Sequence, residues 1–163
     1  MEISIKSIVL YGAVVLTGLS AGFFYAWSVS VIAGTKKVTV NTYLETMQSI
    51  NRAILNPAFF LIFFGSILLL IIGSALLFNT NMTTFWLMLT SSVVYLIGTV
   101  GVTGLGNVPL NNQLEALNLN GMSSQKLTEF RNYYEKNWNR LHLIRTVFSV
   151  IAFLLSLLAV FTN

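Results

Sequence analysis

The sequence predicts an all-α membrane protein, a four-transmembrane-helix bundle with amphipathic helices in the loops between spans one and two and between spans three and four. Of 163 residues, 55% are hydrophobic and 9% charged, whereas soluble domains average about 25% charged residues. The mean hydropathy is +0.76. Four apolar runs are each long enough for a membrane crossing of about 20 helical residues. They lie at about 8–32, 57–78, 84–104 and 143–161, and we expect one membrane domain over 1–163.

Span one combines small residues with an aromatic end. Gly18 and Gly22 are four residues apart, a spacing that lets another helix approach closely. Aromatic residues near a span end are typical of interfacial anchors, and the same side chains are suited to stacking on an aromatic ligand. The aromatic group comprises Phe23, Phe24, Tyr25 and Trp27.

The first loop and span two follow a simple pattern. Segment 40–55 carries apolar residues at helical spacing with polar residues between them, which predicts an amphipathic helix at the membrane surface. It leads into Asn56 and Pro57, and proline is tolerated in the first turn of a helix. Span two has almost no polar side chains, so we expect it to serve packing and lipid contact only.

Span three ends in the glycine-rich stretch GTVGVTGLGN. Glycine lowers helix propensity, and Pro109 disfavours a helical residue before it. We therefore predict that the span ends near Gly104, that the chain bends between Gly106 and Pro109, and that a short helix restarts in LNNQLEALNL. This bend would direct Asn107 and Asn111 towards span four.

A second amphipathic helix is predicted over 123–140, with a start signal at Ser123 and no break before span four. Arg145 stands three residues inside that span, where a charge costs about 2.5–3.5 kcal/mol at the helix centre, so we expect it to face inward. This predicts a polar pocket, although the alternative is a set of interfacial anchors with one positive charge beside them. The residues that share the face of Arg145 are Glu135, Trp138, Asn139, His142 and Ser149.

The basic residues predict an orientation. Three lie in the first long loop and four in the second, while Lys6 alone lies on the other side. By the positive-inside rule, both long loops are cytoplasmic and both termini are outside. The seven loop residues are Lys36, Lys37, Arg52, Lys126, Arg131, Lys136 and Arg140.

The inventory of reactive side chains excludes several kinds of chemistry. The chain has no cysteine and one histidine, so it offers no disulfides or thiolate ligands and cannot supply two imidazoles to zinc or non-haem iron. We therefore predict neither a metal nor a cofactor. No P-loop, G-x-S-x-G or dinucleotide motif occurs. A net charge of +4 needs no nucleic acid to explain it.

Two motifs resemble a known family. An N-x-P-x-N-x-x-L stretch follows span three, and W-N-x-x-H-x-x-R opens span four. Together, and with four membrane spans over nearly the whole chain, they resemble the anthrone oxygenase-like family, also called domain of unknown function 1772. The residues that carry the resemblance are Asn107, Pro109, Asn111, Leu114, Trp138, Asn139, His142 and Arg145.

The resemblance implies oxidation of an anthrone, or another small aromatic or phenolic substrate, by molecular oxygen without a cofactor. For this chemistry we predict His142 as a general base and Arg145 as the group that stabilises an enolate or superoxide-like intermediate. Asn107 and Asn111 would hold the substrate oxygens or orient His142, and Trp138 and Asn139 would also bind the substrate. We expect the protein in the plasma membrane of a bacterium.

Two other functions remain open from the sequence. The protein could be a non-enzymatic bundle in which the Asn, His and Arg cluster fastens two helices together by interhelical hydrogen bonds. It could also bind a lipid or a quinone-like molecule between spans one and four. The sequence does not indicate an oligomeric state.

Overall fold

The computed structural model describes residues 4–162, and this part of the chain is helical without strands. Five helices account for nearly all of it. They are α1 (Ile5–Thr35), α2 (Val40–Ala53), α3 (Pro57–Leu77), α4 (Met82–Glu115) and α5 (Ser124–Phe161). Helices α1, α3, α4 and α5 are long and apolar enough to cross a membrane, which confirms the predicted four-span, all-α class.

Each helix begins at a polar capping residue whose side-chain oxygen accepts a backbone N–H of the first turn. This satisfies a donor that has no partner inside the helix. Asn56 caps α3 in this way with Pro57 as the next residue, and Ser123 caps α5 as the sequence predicts. The caps of the other helices are Ser4, Thr39 and Asn81.

The bounds of α4 differ from the prediction. The helix does not end near Gly104 but continues through Pro109 to Glu115. Two stretches of α4, Tyr95–Gly101 and Thr103–Asn107, are π-helical, and the Val108 N–H bonds the Thr103 carbonyl five residues back. Because the wider turn ends just before Pro109, the proline falls in the first turn of the following α-helical segment, where its missing N–H costs little.

The four long helices pack in a ring, α1 against α3 and α5, and α4 against the same two neighbours. Small and hydroxyl side chains form the contacts between them. Thr17 and Ser156 lie 3.0 Å apart across α1 and α5, and the Ser91 hydroxyl donates to the Ala152 carbonyl across α4 and α5 at 2.7 Å. Such contacts bring helix backbones close together.

Helix α2 forms where a helix is predicted, but its apolar residues face the bundle. Tyr43, Leu44 and Met47 are buried in a cluster with Leu114 and Tyr134. The Tyr43 side chain is enclosed enough that burial raises the pKa of its phenol. The amphipathic character of the two loop segments at a membrane surface stays a prediction, and segment 123–140 is the first part of the continuous α5.

Arg131 ties the beginning of α5 to the end of α1. Its guanidinium donates to the Val38 carbonyl at 2.8 Å and the Thr35 carbonyl at 3.3 Å, and it pairs with Glu135 at 3.1 Å. It also lies 4.6 Å from the centre of the Tyr43 ring. One mostly buried guanidinium therefore joins the beginning of α5 to the chain at and just after the end of α1.

Candidate functional site

The predicted stripe on α5 enters the interior of the bundle. Trp138, His142 and Arg145 are 3%, 1% and 8% exposed. Their spacing of four and three residues places them on one helix face. Asn139 is half-buried. An arginine this deep in a candidate membrane span therefore faces inward, as the sequence predicts.

The His142 ring is bonded at both nitrogens. Its Nδ1 accepts from Arg145, whose Nε lies at 3.2 Å and whose NH2 lies at 3.0 Å. Arginine has donors only, so Nδ1 must carry the lone pair and Nε2 the proton in the neutral ring. Nε2 has the Ser28 hydroxyl at 3.0 Å and the Phe24 carbonyl at 3.1 Å. The basic nitrogen of His142 thus already holds the guanidinium.

Arg145 is held by aromatic and neutral polar groups. Its guanidinium carbon lies 4.6 Å from the centre of the Phe24 ring and 5.1 Å from that of Trp138. Its NH1 reaches the Thr103 hydroxyl at 3.4 Å. Among residues 4–162, no carboxylate lies within salt-bridge distance of it. Burying a cation without an anion is costly, and ring faces recover part of that cost.

Asn111 organises the residues on the loop side of Arg145. Its Oδ1 accepts from the Trp138 indole at 2.8 Å and from the Tyr134 hydroxyl at 3.0 Å. The Asn51 amide donates to the same Tyr134 hydroxyl at 3.3 Å, which links α2 to the group. Trp138 in turn stacks on His142, with ring centroids 5.1 Å apart and planes 7° apart.

The expected contact between the two asparagines and α5 is made with different partners. Asn107 is 1% exposed and donates to the Trp138 carbonyl at 3.3 Å, while its Oδ1 has no hydrogen-bond partner among the described residues. Neither Asn107 nor Asn111 bonds His142 or Arg145. Within residues 4–162, the Asn139 side chain makes no hydrogen bond and does not line the cavity at Arg145. Asn139 therefore stands apart from the group.

A cavity of about 530 Å³ lies between the loop-side ends of α1, α3 and α4, with α2 over it. Arg145 and Trp138 line its inner end with Asn111 and Thr103, and His142 is not among the lining residues. Its walls are mainly aromatic and apolar. They include Phe23, Phe24, Trp27, Phe59, Phe63, Val100 and Val108. This is the size and character of a site for a small, mostly apolar molecule.

Sequence reasoning did not find Ser28, Thr103 or Tyr134. Ser28 lies in a π-helical stretch of α1, Trp27–Val31, and Thr103 lies in the second such stretch of α4. Both supply polar contacts to His142 and Arg145, and π-helical turns occur frequently at functional sites. Tyr134 could have been found, because it lies four residues before Trp138 on the same face.

Other parts of the described chain offer less chemistry. A second groove of about 610 Å³ on the outer side of α4 is lined only by apolar residues and glycines. Within residues 4–162, no three His, Cys, Asp or Glu side chains gather into a group with the ligands for a metal ion. The cavity at Arg145 is therefore the candidate site.

These features define the class of protein, an integral membrane four-helix bundle with a buried arginine at the inner end of an aromatic-walled cavity. Residues 59–155 match the family described as anthrone oxygenase, and since this is more than half of the chain, the protein belongs to the anthrone oxygenase family. The matched range contains Asn107, Asn111, His142 and Arg145 but neither α1 nor α2. No curated protein and no solved structure matches the chain.

Proposed function

We propose that the protein is a membrane oxygenase that oxidises a small aromatic or phenolic substrate, of which an anthrone is the type, with molecular oxygen and no cofactor. The observation that carries the proposal is Arg145, a buried cation with no carboxylate partner among the described residues, which lines an aromatic-walled cavity. An ionised phenol or enol supplies the missing anion and fits the aromatic walls. Family membership supports the same substrate class.

The proposed reaction balances without another reactant. Loss of a proton from the central carbon of the anthrone gives an electron-rich anion whose charge lies largely on oxygen. This anion gives electrons to oxygen, a carbon–oxygen bond forms, and a proton from water gives the hydroperoxide. Loss of the second proton from the same carbon breaks the oxygen–oxygen bond. The products are one anthraquinone and one water.

In this reaction, Arg145 stabilises the anion and the peroxide that follows it. A fixed cation in a site shielded from water acts strongly on developing negative charge and needs no reorganisation. Asn111 and Trp138 form the wall beside it, and the Thr103 hydroxyl orients the guanidinium. Water that reaches the polar end of the cavity, where Asn112 and Glu115 line it, takes the proton.

For His142 we favour a positioning role over the general-base role that the sequence suggests. Its Nδ1 lone pair faces Arg145, while the cavity is lined by Arg145 and not by His142. His142 thus holds the guanidinium in place without itself lining the cavity. Asn107 donates to the backbone carbonyl of Trp138 and is not itself among the residues that line the cavity.

Two variants of His142 separate these roles. In His142→Asn the amide oxygen can occupy the place of Nδ1 and still accept from Arg145, whereas His142→Ala leaves the guanidinium unheld. We expect His142→Asn to retain much more oxygen uptake with 1,8-dihydroxyanthrone than His142→Ala, with an unchanged pH profile. Equal loss in both variants, together with loss of the acidic limb of the profile, would restore His142 as the base.

The second candidate is a non-enzymatic protein that binds a lipid or a quinone-like molecule. The saturated hydrogen bonds of His142 and the bonds of Asn111 to Trp138 and Tyr134 favour it, because such a cluster can also serve only to fix helix geometry. The purified protein decides between the two. Oxygen uptake with an anthrone supports the enzyme, whereas a copurified ligand found by mass spectrometry, without oxygen uptake, supports the binder.

We also propose that the membrane is the plasma membrane of a bacterium and that the long loops face the cytoplasm, as the basic residues suggest. The chain has no cysteine, so a single cysteine introduced at Gly121 or at Thr80 is the only thiol that a maleimide can label, and its labelling tests the orientation. A membrane-impermeant maleimide added to intact cells should label Thr80→Cys only. Labelling of Gly121→Cys alone would show that the long loops face outside, opposite to the proposal.

A further inference from the structure

One side of the cavity lies between α3 and α4, and its residues are exposed and apolar. Phe60 and Phe64 of α3 are 39% and 51% exposed, and Val108 of α4 is 41% exposed. Gly104 of α4 is also exposed and lines the cavity with them. Both helices are candidate membrane spans. This side of the cavity therefore faces lipid when the bundle is in a bilayer.

Neither the backbone conformation nor the packing of α4 requires a glycine at position 104. A Cβ added there would meet nothing within 4 Å, and none of the described glycines has a positive φ. Two other glycines of α4 are different. A Cβ at Gly98 would overlap Phe148, and one at Gly106 would lie 2.9 Å from Leu141. Gly98 and Gly106 thus permit helix packing, whereas Gly104 leaves an open gap.

The other end of the cavity is polar and is crossed by a side-chain pair. Arg52 of α2 and Glu115 of α4 lie 3.6 Å apart, and both are substantially exposed. Asn51 and Asn112 line the cavity beside them. An uncharged aromatic molecule would have to leave the bilayer and pass these charged groups to enter from this end. The apolar side at Gly104 requires neither step.

We propose that Gly104 is a specificity-determining residue that keeps open a side entrance between α3 and α4, through which planar aromatic molecules dissolved in the bilayer reach Arg145. The inference rests on the proposed function for the class of ligand. It narrows that class to uncharged, membrane-partitioned molecules of several fused rings, with a hydroxyl or enol that ionises at the guanidinium. Water-soluble phenols with a fixed charge are excluded from this route.

The entrance is tested by binding kinetics, without turnover. The probe is 1-hydroxyanthraquinone in liposomes that contain the protein, followed by quenching of tryptophan fluorescence, since Trp27 and Trp138 line the cavity. Gly104→Leu places a side chain in the gap. The matched control is Gly22→Leu, because Gly22 is also exposed, helical and without atoms near its Cβ, but lies outside the cavity lining.

We expect Gly104→Leu to slow association of the probe by about tenfold or more, because entry then requires the helices to separate. Gly22→Leu should bind at the wild-type rate. Anthraquinone-2-sulfonate, whose charge keeps it out of the hydrocarbon, serves as the second probe. Its association, which must use the polar end, should be unaffected by Gly104→Leu. If Gly104→Leu does not assemble, Gly104→Ala and Gly104→Val should slow the first probe in order of size.

Several results would overturn the entrance. They are wild-type association in Gly104→Leu, equal slowing in Gly104→Leu and Gly22→Leu, equal slowing of both probes, and no binding of 1-hydroxyanthraquinone to the wild type. The proposed oxygenase fails separately. If the wild type binds the probe but consumes no oxygen with an anthrone, the enzyme proposal falls and the entrance stands. If oxygen uptake occurs and is unchanged in Gly104→Leu, the entrance falls alone.

Discussion

Removal of the positive charge at Arg145 should change the ionisation of a bound phenol. The side chain is 8% exposed and lines the inner end of the cavity, so a phenolic oxygen placed at the guanidinium is poorly screened by water. Two opposite charges about 4 Å apart attract by about 4 kcal/mol at an effective dielectric constant of about 20. Since about 1.4 kcal/mol moves an ionisation midpoint by about one pH unit, the attraction lowers the midpoint by at most about 3 pH units.

Desolvation of the phenolate reduces this limit, and one close opposite charge usually lowers the midpoint of an acid by about 1–3 pH units. We therefore expect the ionisation midpoint of 1-hydroxyanthraquinone to be about 1–3 pH units lower when bound to the wild type than when bound to Arg145→Gln. Oxygen uptake with 1,8-dihydroxyanthrone should fall by about a hundredfold in the same variant, as for loss of one preorganised donor to a developing anion.

The assay is a pH titration of the visible absorbance of the bound probe in detergent-purified protein. Arg140→Gln is the matched control, because Arg140 lies on the same helix but is exposed and outside the cavity lining. Arg145→Lys keeps a charge without the planar fork and should give an intermediate midpoint. Equal midpoints in wild type, Arg140→Gln and Arg145→Gln would refute the claim that this guanidinium meets the anion.

Two further substitutions test the packing of the bundle. Gly98→Ala should lower the free energy of unfolding by about 1–3 kcal/mol, since the new methyl group overlaps Phe148, and an SDS titration compared with Gly22→Ala measures it. An unchanged titration would contradict the claim that Gly98 is needed for the close packing of α4 on Phe148 of α5. Arg131→Lys should lower the free energy of unfolding by about 1–3 kcal/mol, because one ammonium cannot reach the Thr35 carbonyl, the Val38 carbonyl and Glu135 together. The same SDS titration measures this change, and a change near zero would contradict the anchoring role of Arg131.

The sequence predicts most of the fold because each span is long and apolar and because two helices begin at start signals that the sequence shows. Asn56 before Pro57 and Ser123 before α5 act as helix starts as expected. The continuation of α4 through Pro109 was not predictable by the same means. Proline and glycine preferences refer to α-helical turns, and the π-helical stretch Thr103–Asn107 removes the conflict that those preferences anticipate.

The candidate site was predicted in part. A period of 3.6 residues places Trp138, His142 and Arg145 on one face, and the cost of burying a charge directs that face inward. Periodicity does not report which residue stands opposite. In the structure, Asn111 bonds Trp138 instead of His142, and Arg145 donates to Nδ1 of His142. These partners depend on how the helices are placed in the folded bundle, which periodicity does not report.

The wide turns of α4 make this helix tolerant to a change of one residue at particular places. Each π-helical turn holds one residue more than an ordinary turn, so deletion of one residue within Tyr95–Gly101 that restores a regular turn would leave Asn107 and Asn111 facing α5. Deletion of one residue from a regular stretch of the helix would instead rotate everything beyond it by about 100°. In an alignment of homologues, a one-residue gap within Tyr95–Gly101 would therefore mark a chain that has one wide turn fewer but keeps its asparagines aligned with Trp138.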